Sequence, residues 1–316
     1  MRRAVALFRE KASIISIPMN LGQPNLGLDL APTKIVEGGL INLLGDIGWG
    51  LKQVPPLVLD SLDTTNCVSL AQGLKAKNCA QVGVGCKEIR DHVAAHCKDH
   101  TFPLILGGDH CISIGTVSAI KTARKDAGIV WVDAHADINN PLKSGSGNMH
   151  GMPVAFLMGL VENANKLPGF EWFKPVMSPK DIVYIGLRDV DQDEKETLRK
   201  LGIKAFSMYD VDRLGVGKIM EQTLDHLKGH KEIHLSFDID AIDPFFAPHT
   251  GTAVTGGLTF REGNYICEAL FDSGKLSSME LVEVDPAQHA GVEHTRTIDC
   301  ALTLIGSAMG KRILSR

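Results

Sequence analysis

Residues Trp131–Gly151 read WVDAHADINNPLKSGSGNMHG, and the apolar run Gly128–Val132 leads directly into them. The run breaks into Asp133, His135 and Asp137, which alternate. Alternate residues of an extended chain share one face, so three ligand-type side chains stand together just past a short apolar segment. That puts oxygen and imidazole donors at the carboxyl end of a strand, where open α/β sheets build their sites. Any one of the three alone would pass for part of a polar loop. The partners elsewhere in the chain are what that plainer reading leaves unexplained.

Working outward, the same pattern recurs. Phe102–Leu106 reads as a strand that ends in Gly107, Gly108, Asp109 and His110; the glycines let the backbone turn tightly, so His110 can project into a site at the sheet edge. Asp181–Leu187 is a further strand ending in charge, at Arg188, Asp189 and Asp191. EIHLSFDID delivers Asp238 and Asp240 on one face, and SMELVEVDP ends a strand in Glu283 and Asp285. An opening strand at Ala12–Ile17 runs through a Gly/Pro/Asn-rich turn into a helix from about Pro32. Helices are predicted at 112–124, Glu194–Leu201, Val216–Leu227, 261–272 and Ile298–Met309, and a strand at Ile203–Ser207. Strands alternating with helices predict a mostly parallel sheet covered on both faces, a three-layer α/β/α sandwich.

Residues 45–80 are the least legible, with a strand expected at Leu57–Leu59. Gln81–Gly85 reads as a loop ahead of a helix, its lone G-x-G being too weak for a dinucleotide signal. That helix, CKEIRDHVAAHCKDH, sets His92, His96 and His100 on one stripe. Without an H-E-x-x-H motif and with charges between, the stripe reads as a solvated face.

Composition bounds the function. With 316 residues, 44% hydrophobic, 22% charged and a net charge of −4, the chain is an ordinary globular protein without the basic field a nucleic-acid partner needs. Residues 1–11 read as an N-terminal tail and 12–316 as one catalytic domain. No apolar run approaches the roughly 20 residues of a spanning helix, so no membrane role is expected. Seven scattered cysteines without a C-x-x-C pair point to reduced thiols in a cytoplasmic compartment. The basic start MRRAVALFREKA faintly resembles a mitochondrial presequence, which makes the mitochondrion the alternative.

The strand-end ligands are His110, Asp133, His135, Asp137, Asp238 and Asp240, four carboxylates and two imidazoles. Oxygen-rich donors of this kind suit manganese better than zinc. Four negative charges balance two divalent cations, whereas one cation would leave carboxylates facing one another unpaired. Two metals about 3.5 to 4 Å apart can acidify a shared water enough to act near neutral pH. The chemistry expected is hydrolysis.

Seven motifs in order, GGDHCISIG, DAHADIN, SGNMHG, GLRDVD, SFDID, GTAVTGGLT and VEVDP, resemble those of the ureohydrolases, and specifically of the arginase family, over roughly residues 12 to 312. The resemblance implies an α/β sandwich with two Mn2+ per subunit, in a homotrimer. One ion would be held by His110, Asp133, Asp137 and Asp238, the other by Asp133, His135, Asp238 and Asp240. It implies hydrolysis of L-arginine to L-ornithine and urea, with agmatine or another guanidino compound as the alternative substrate. Asn139, Ser146 and Asn148 would hold the α-carboxylate; Asp191, with Glu194 nearby, would take the α-ammonium. Glu283 would pair with the guanidinium, Thr252 would shape the pocket, and His150 would shuttle protons, with Asp137 also counted as catalytic. Cys111, Ala136 and Asp285 depart from the family's usual serine, threonine and asparagine, and Cys111 beside the metals is a candidate for oxidation. The chain stops at Arg316, soon after its last helix, so the tail that often wraps neighbouring subunits is not expected.

Overall fold

The computed structural model describes residues 11–59, 73–97, 101–288, 294–312 and 314. Eight strands form one sheet: β1 Lys11–Ile17, β2 Leu51–Gln53, β3 Thr101–Gly107, β4 Ala127–Val132, β5 Ile182–Leu187, β6 Lys204–Ser207, β7 Glu232–Asp238 and β8 Leu276–Val282. Their order is β2-β1-β3-β8-β7-β4-β5-β6, and every pairing within it is parallel. β4, β5 and β8 are buried along their whole length, as expected of strands covered on both faces.

Period-two alternation divides each strand between two cores. Leu104, Leu106, Val130, Val132, Val183 and Ile185 face one side, packed on the helices Phe260–Asp272 and His294–Ala308. Ile105, Ile129, Trp131, Ile182 and Tyr184 face the other, packed on the helices Cys79–Ala94 and Ser113–Ala123. Each fully buried Leu or Ile contributes about 1.5–3 kcal/mol, and together they hold the sheet as the middle of three layers. The expected α/β/α sandwich is what forms.

Four expectations are corrected. Leu57–Leu59 is not a strand; the edge strand is β2, six residues earlier, paired to β1 through Ala12 and Leu51. Beyond it Val54 and Leu57 still donate to the β1 carbonyls of Ile14 and Ser16, but Pro55 and Pro56 have no N–H to donate, so the ladder stops. Gln81–Gly85 is helix rather than loop, because the helix begins at Cys79 and ends at Ala94. There Gly83 lies against Gly169 and Phe170, where a Cβ would stand 2.6–2.7 Å from their atoms. His92 and His96 meet edge to face with ring centroids 5.5 Å apart; His100 lies outside the described residues. Met208–Leu214 is an additional helix, opened by Ser207, whose hydroxyl and N–H both donate to the Asp210 carboxylate. The fourth concerns the first strand, which starts at Lys11 rather than Ala12. Among the described residues no helix is long and apolar enough to cross a membrane.

Candidate active site

The four central strands, β3, β8, β7 and β4, stand side by side, and their carboxyl ends open toward one point. β3 leads through Gly107–Asp109 to His110, β8 to Glu283, β7 ends at Asp238 just before Asp240, and β4 leads to Asp133, His135 and Asp137. The sheet therefore gathers into one cluster residues more than a hundred positions apart.

His110 is buried, with its ring stacked on Trp131 at 4.1 Å between centroids. Its Nε2 meets Ser236 Oγ at 2.8 Å, which leaves Nδ1 facing oxygens of Asp137, Asp133 and Asp238 at 3.0, 3.1 and 3.2 Å. Nδ1 nevertheless has no hydrogen-bond partner of good geometry. A buried ring nitrogen aimed among three carboxylate oxygens is the donor set of a metal cradle, and Ser236 is the outer partner that orients such a ligand. A second cluster adjoins it: His135 Nδ1 lies 3.1 Å from Asp240 Oδ2 and 3.4 Å from Asp133 Oδ1. His110–Asp133–Asp137 and Asp133–His135–Asp240 can each hold a metal ion, with Asp133 common to both. The residues present fit divalent cations.

The carboxylates are held by donors chosen from their own loops. Asp133 accepts from Trp131 Nε1 at 3.0 Å and from the His135 N–H at 2.7 Å; Asp238 accepts from the Asp240 N–H at 2.8 Å, and Asp240 from Thr252 Oγ1 at 3.2 Å. Burial raises the Asp137 carboxyl to about 6, helped by Asp133 beside it, and burial with Asp240 and Asp133 as neighbours drives Asp238 well above the carboxylate range. Burial pulls the His110 imidazole down, yet Asp133, Asp137 and Asp238 outweigh it and hold the ring well above its ordinary value. Asp137 and Glu283 both adopt left-handed backbone, at φ 50° and 65°, a sparsely populated conformation that clusters at functional sites.

Glu283 is buried and fully oriented. Its Oε1 accepts from the His110 N–H at 2.8 Å, its Oε2 from the Gln23 side-chain amide, and His150 Nδ1 stands 3.4 Å from Oε1. Burial lowers His150, but the Glu283 carboxylate more than offsets it and lifts the imidazole to about 9. Above this floor, Asn139, Ser146, Asn148, Asp189, Asp191 and Thr252 line the cleft. Asn139 Nδ2 donates to Asp191 Oδ2 at 3.0 Å. Glu194 is turned inward: its two oxygens accept from the backbone N–H groups of Ile138 and Asp191, at 3.1 and 2.9 Å, so it ties the loops after β4 and β5 together.

The sequence model of the arginase family matches residues 10–310. The chain belongs to the arginase family. It is similar to the arginase-1 of Homo sapiens, 43% identical over 301 residues, which span 94% of this chain and 92% of that protein. Among solved structures, the arginase of Bacillus caldovelox superposes with a TM-score of 0.87 at 34% identity, covering 96% of this chain and 99% of that one. The arginase of Entamoeba histolytica, solved in complex with L-ornithine, gives 0.84 at 30% identity, covering 96% and 99%.

The structure brings the residues that the arginase-family motifs single out to one place, with His135, Asp137, Asp238 and the rim residues lining the cleft and His110 and Glu283 beneath it, and it adds neighbours the motifs do not single out. Ser236 and Trp131 carried a legible signal, since each lies two residues before a ligand on the same face of its strand. Asp189, 3.8 Å from His135 Nε2, ends a strand as the other site acids do. Asp109 shares that strand-end signal and acts by accepting from the Gly22 and Cys111 N–H groups; Gln23 had none, because it sits in an aperiodic turn after β1. Cys111 is buried, and burial with the neighbouring Cys86 pushes its thiol well above the ordinary range.

Proposed function

We propose that residues 12–316 form one catalytic domain whose cleft hydrolyses L-arginine to L-ornithine and urea. The chain is a hydrolase that acts on arginine. The observation that carries the site is the convergence of two His–Asp clusters beside a buried Glu283 that faces His150, beneath a rim of amides and acids. His110, Asp133, Asp137 and Asp238 would hold one divalent ion, and Asp133, His135, Asp238 and Asp240 a second; the oxygen-rich donors suit Mn2+. Bound there, two such ions would lower the pKa of a water toward neutral pH and would neutralise the buried carboxylates.

The chain's own groups do the rest. Glu283, fixed by the His110 N–H and by Gln23, pairs with the guanidinium and sets its carbon over the metal ligands, a positioning effect. His150 keeps its proton to about pH 9 and can deliver it to the ornithine nitrogen as the C–N bond breaks. Asn139, Ser146 and Asn148 offer N–H and O–H donors to the α-carboxylate, Asp191 accepts from the α-ammonium, and Thr252 narrows the pocket from the β7 side. Agmatine has no carboxylate and would leave those donors without a partner, which supports arginine over it. The six described cysteines are free thiols, which supports a reducing, cytoplasmic setting, and the family resemblance supports a homotrimer.

Urea release from L-arginine and from agmatine, each with and without manganese, tests the reading. Manganese-dependent release from arginine is expected; preference for agmatine would hand the site to the other substrate.

A further inference from the structure

The rim of the cleft is uneven in charge. Asp189 and Asp191 line it, with Asn139 bonded to Asp191, while Ser146 and Asn148 offer only neutral groups, and no lysine or arginine is among the described residues lining it. A substrate carboxylate would meet only neutral donors unless a cation stood behind them. Lys77 stands there, its Nζ donating to Asn148 Oδ1 at 3.0 Å. An ammonium is donor only, so the contact turns the amide oxygen toward the lysine and leaves the Asn148 NH2 for the cleft. Backbone bonds fix the placement. The Lys77 N–H donates to the Gly147 carbonyl at 2.8 Å, and the Lys75 N–H to the Pro141 carbonyl at 2.7 Å, so this segment runs alongside the loop that carries Ser146 and Asn148. Asn148 N–H in turn donates to Ser146 Oγ at 3.2 Å, which leaves the serine O–H to donate elsewhere.

The geometry points to Lys77 as a positioning residue for specificity, one that aims the Asn148 amide at the substrate's α-carboxylate and adds the positive charge that favours an anionic head group. This rests on the reading of the cleft as an arginine site. An exposed contact of this kind has a modest effect, so Lys77→Met raises KM for L-arginine about two- to five-fold, the loss sitting in KM rather than kcat. KM for L-argininamide, whose head group carries no negative charge, stays at the parent value. Lys77→Arg, which keeps the charge and the donors, restores most of the affinity, and high salt removes the difference between parent and Lys77→Met.

An unchanged ratio of the two KM values in Lys77→Met, or equal losses on both substrates, overturns the assignment. A parent enzyme that prefers argininamide or agmatine to arginine overturns it differently, because the arginine reading itself has then failed. With the parent preferring arginine and the Lys77→Met ratio unmoved, the Lys77 role alone is refuted.

Discussion

His150 and Glu283 are set by who else holds them. Glu283 has both oxygens engaged by donors of the protein, so it cannot swing away, and its charge keeps the facing imidazole protonated to about pH 9. Replacing His150 with Asn should cut turnover about a hundred-fold and erase any inflection near pH 9, while elemental analysis finds the parent's metal content. Equal turnover of the two proteins from pH 7 to 9.5 would rule out a proton-delivering role. At the rim, Asp191 accepts from Asn139 and is otherwise exposed. Asp191→Ala should raise KM for arginine about tenfold, through loss of a charge-assisted hydrogen bond, and leave 5-guanidinopentanoate, which has no α-ammonium, unaffected. Matching losses on the two compounds would place Asp191 away from the ammonium.

At the scale of elements, the site depends on strand ends that turn sharply and on loops tied to one another. Gly108 shows how little slack there is, since a Cβ there would stand 1.8 Å from the Met19 carbonyl oxygen, a backbone atom that cannot rotate aside. Gly108→Ala must therefore displace the Gly107–His110 turn or the β1 loop. It should cost about 2–4 kcal/mol, toward the upper end for a point substitution, and weaken metal binding through His110. Parent-like values in both a urea melt and a metal titration would show that the close approach is not needed. Glu194 is the brace on the other side of the cleft. Its helix, Gln192–Leu201, begins where the Glu194 carboxylate accepts the Asp191 N–H, so a helix cap and the rim of the cleft share the same residues.

For the molecule as a whole, the buried acids make stability depend on what neutralises them. Asp109 and Asp137 are each raised to about 6 by burial, with Glu283 and Asp133 respectively as the neighbouring charges. A carboxyl whose folded pKa exceeds its unfolded value binds more protons when folded, so its contribution to stability is lost as pH rises from about 4 through 6. Metal-free protein should then melt at a lower temperature at pH 7 than at pH 5. Manganese should raise the melting temperature at pH 7 and flatten that dependence, because cations replace protons among the same oxygens. Calorimetric melts of chelator-treated and reloaded protein decide this. A metal-free melting temperature that does not fall between pH 5 and 7 would show that the acids are neutralised some other way.

Much of this was legible in the residues. Apolar runs broken by charge marked β3, β4, β5, β7 and β8, because burial on both faces leaves a plain pattern. Alternation singled out Asp133, His135 and Asp137, although β4 ends at Val132 and Asp137 takes left-handed backbone, so the loop rather than an extended strand sets their directions. The motif set carried the family. The short β2 and the helix Met208–Leu214 escaped, since three residues beside a Pro55–Pro56 pair and seven after a strand leave almost no periodic signal. Tertiary structure alone decided the rest: that β3, β8, β7 and β4 are neighbours, that Gln23 reaches Glu283 across 260 positions, and that Lys77 stands behind Asn148. Local sequence governs which face a side chain takes. Which strands lie side by side is settled by how the two cores pack, and only that brings distant carboxylates to one point.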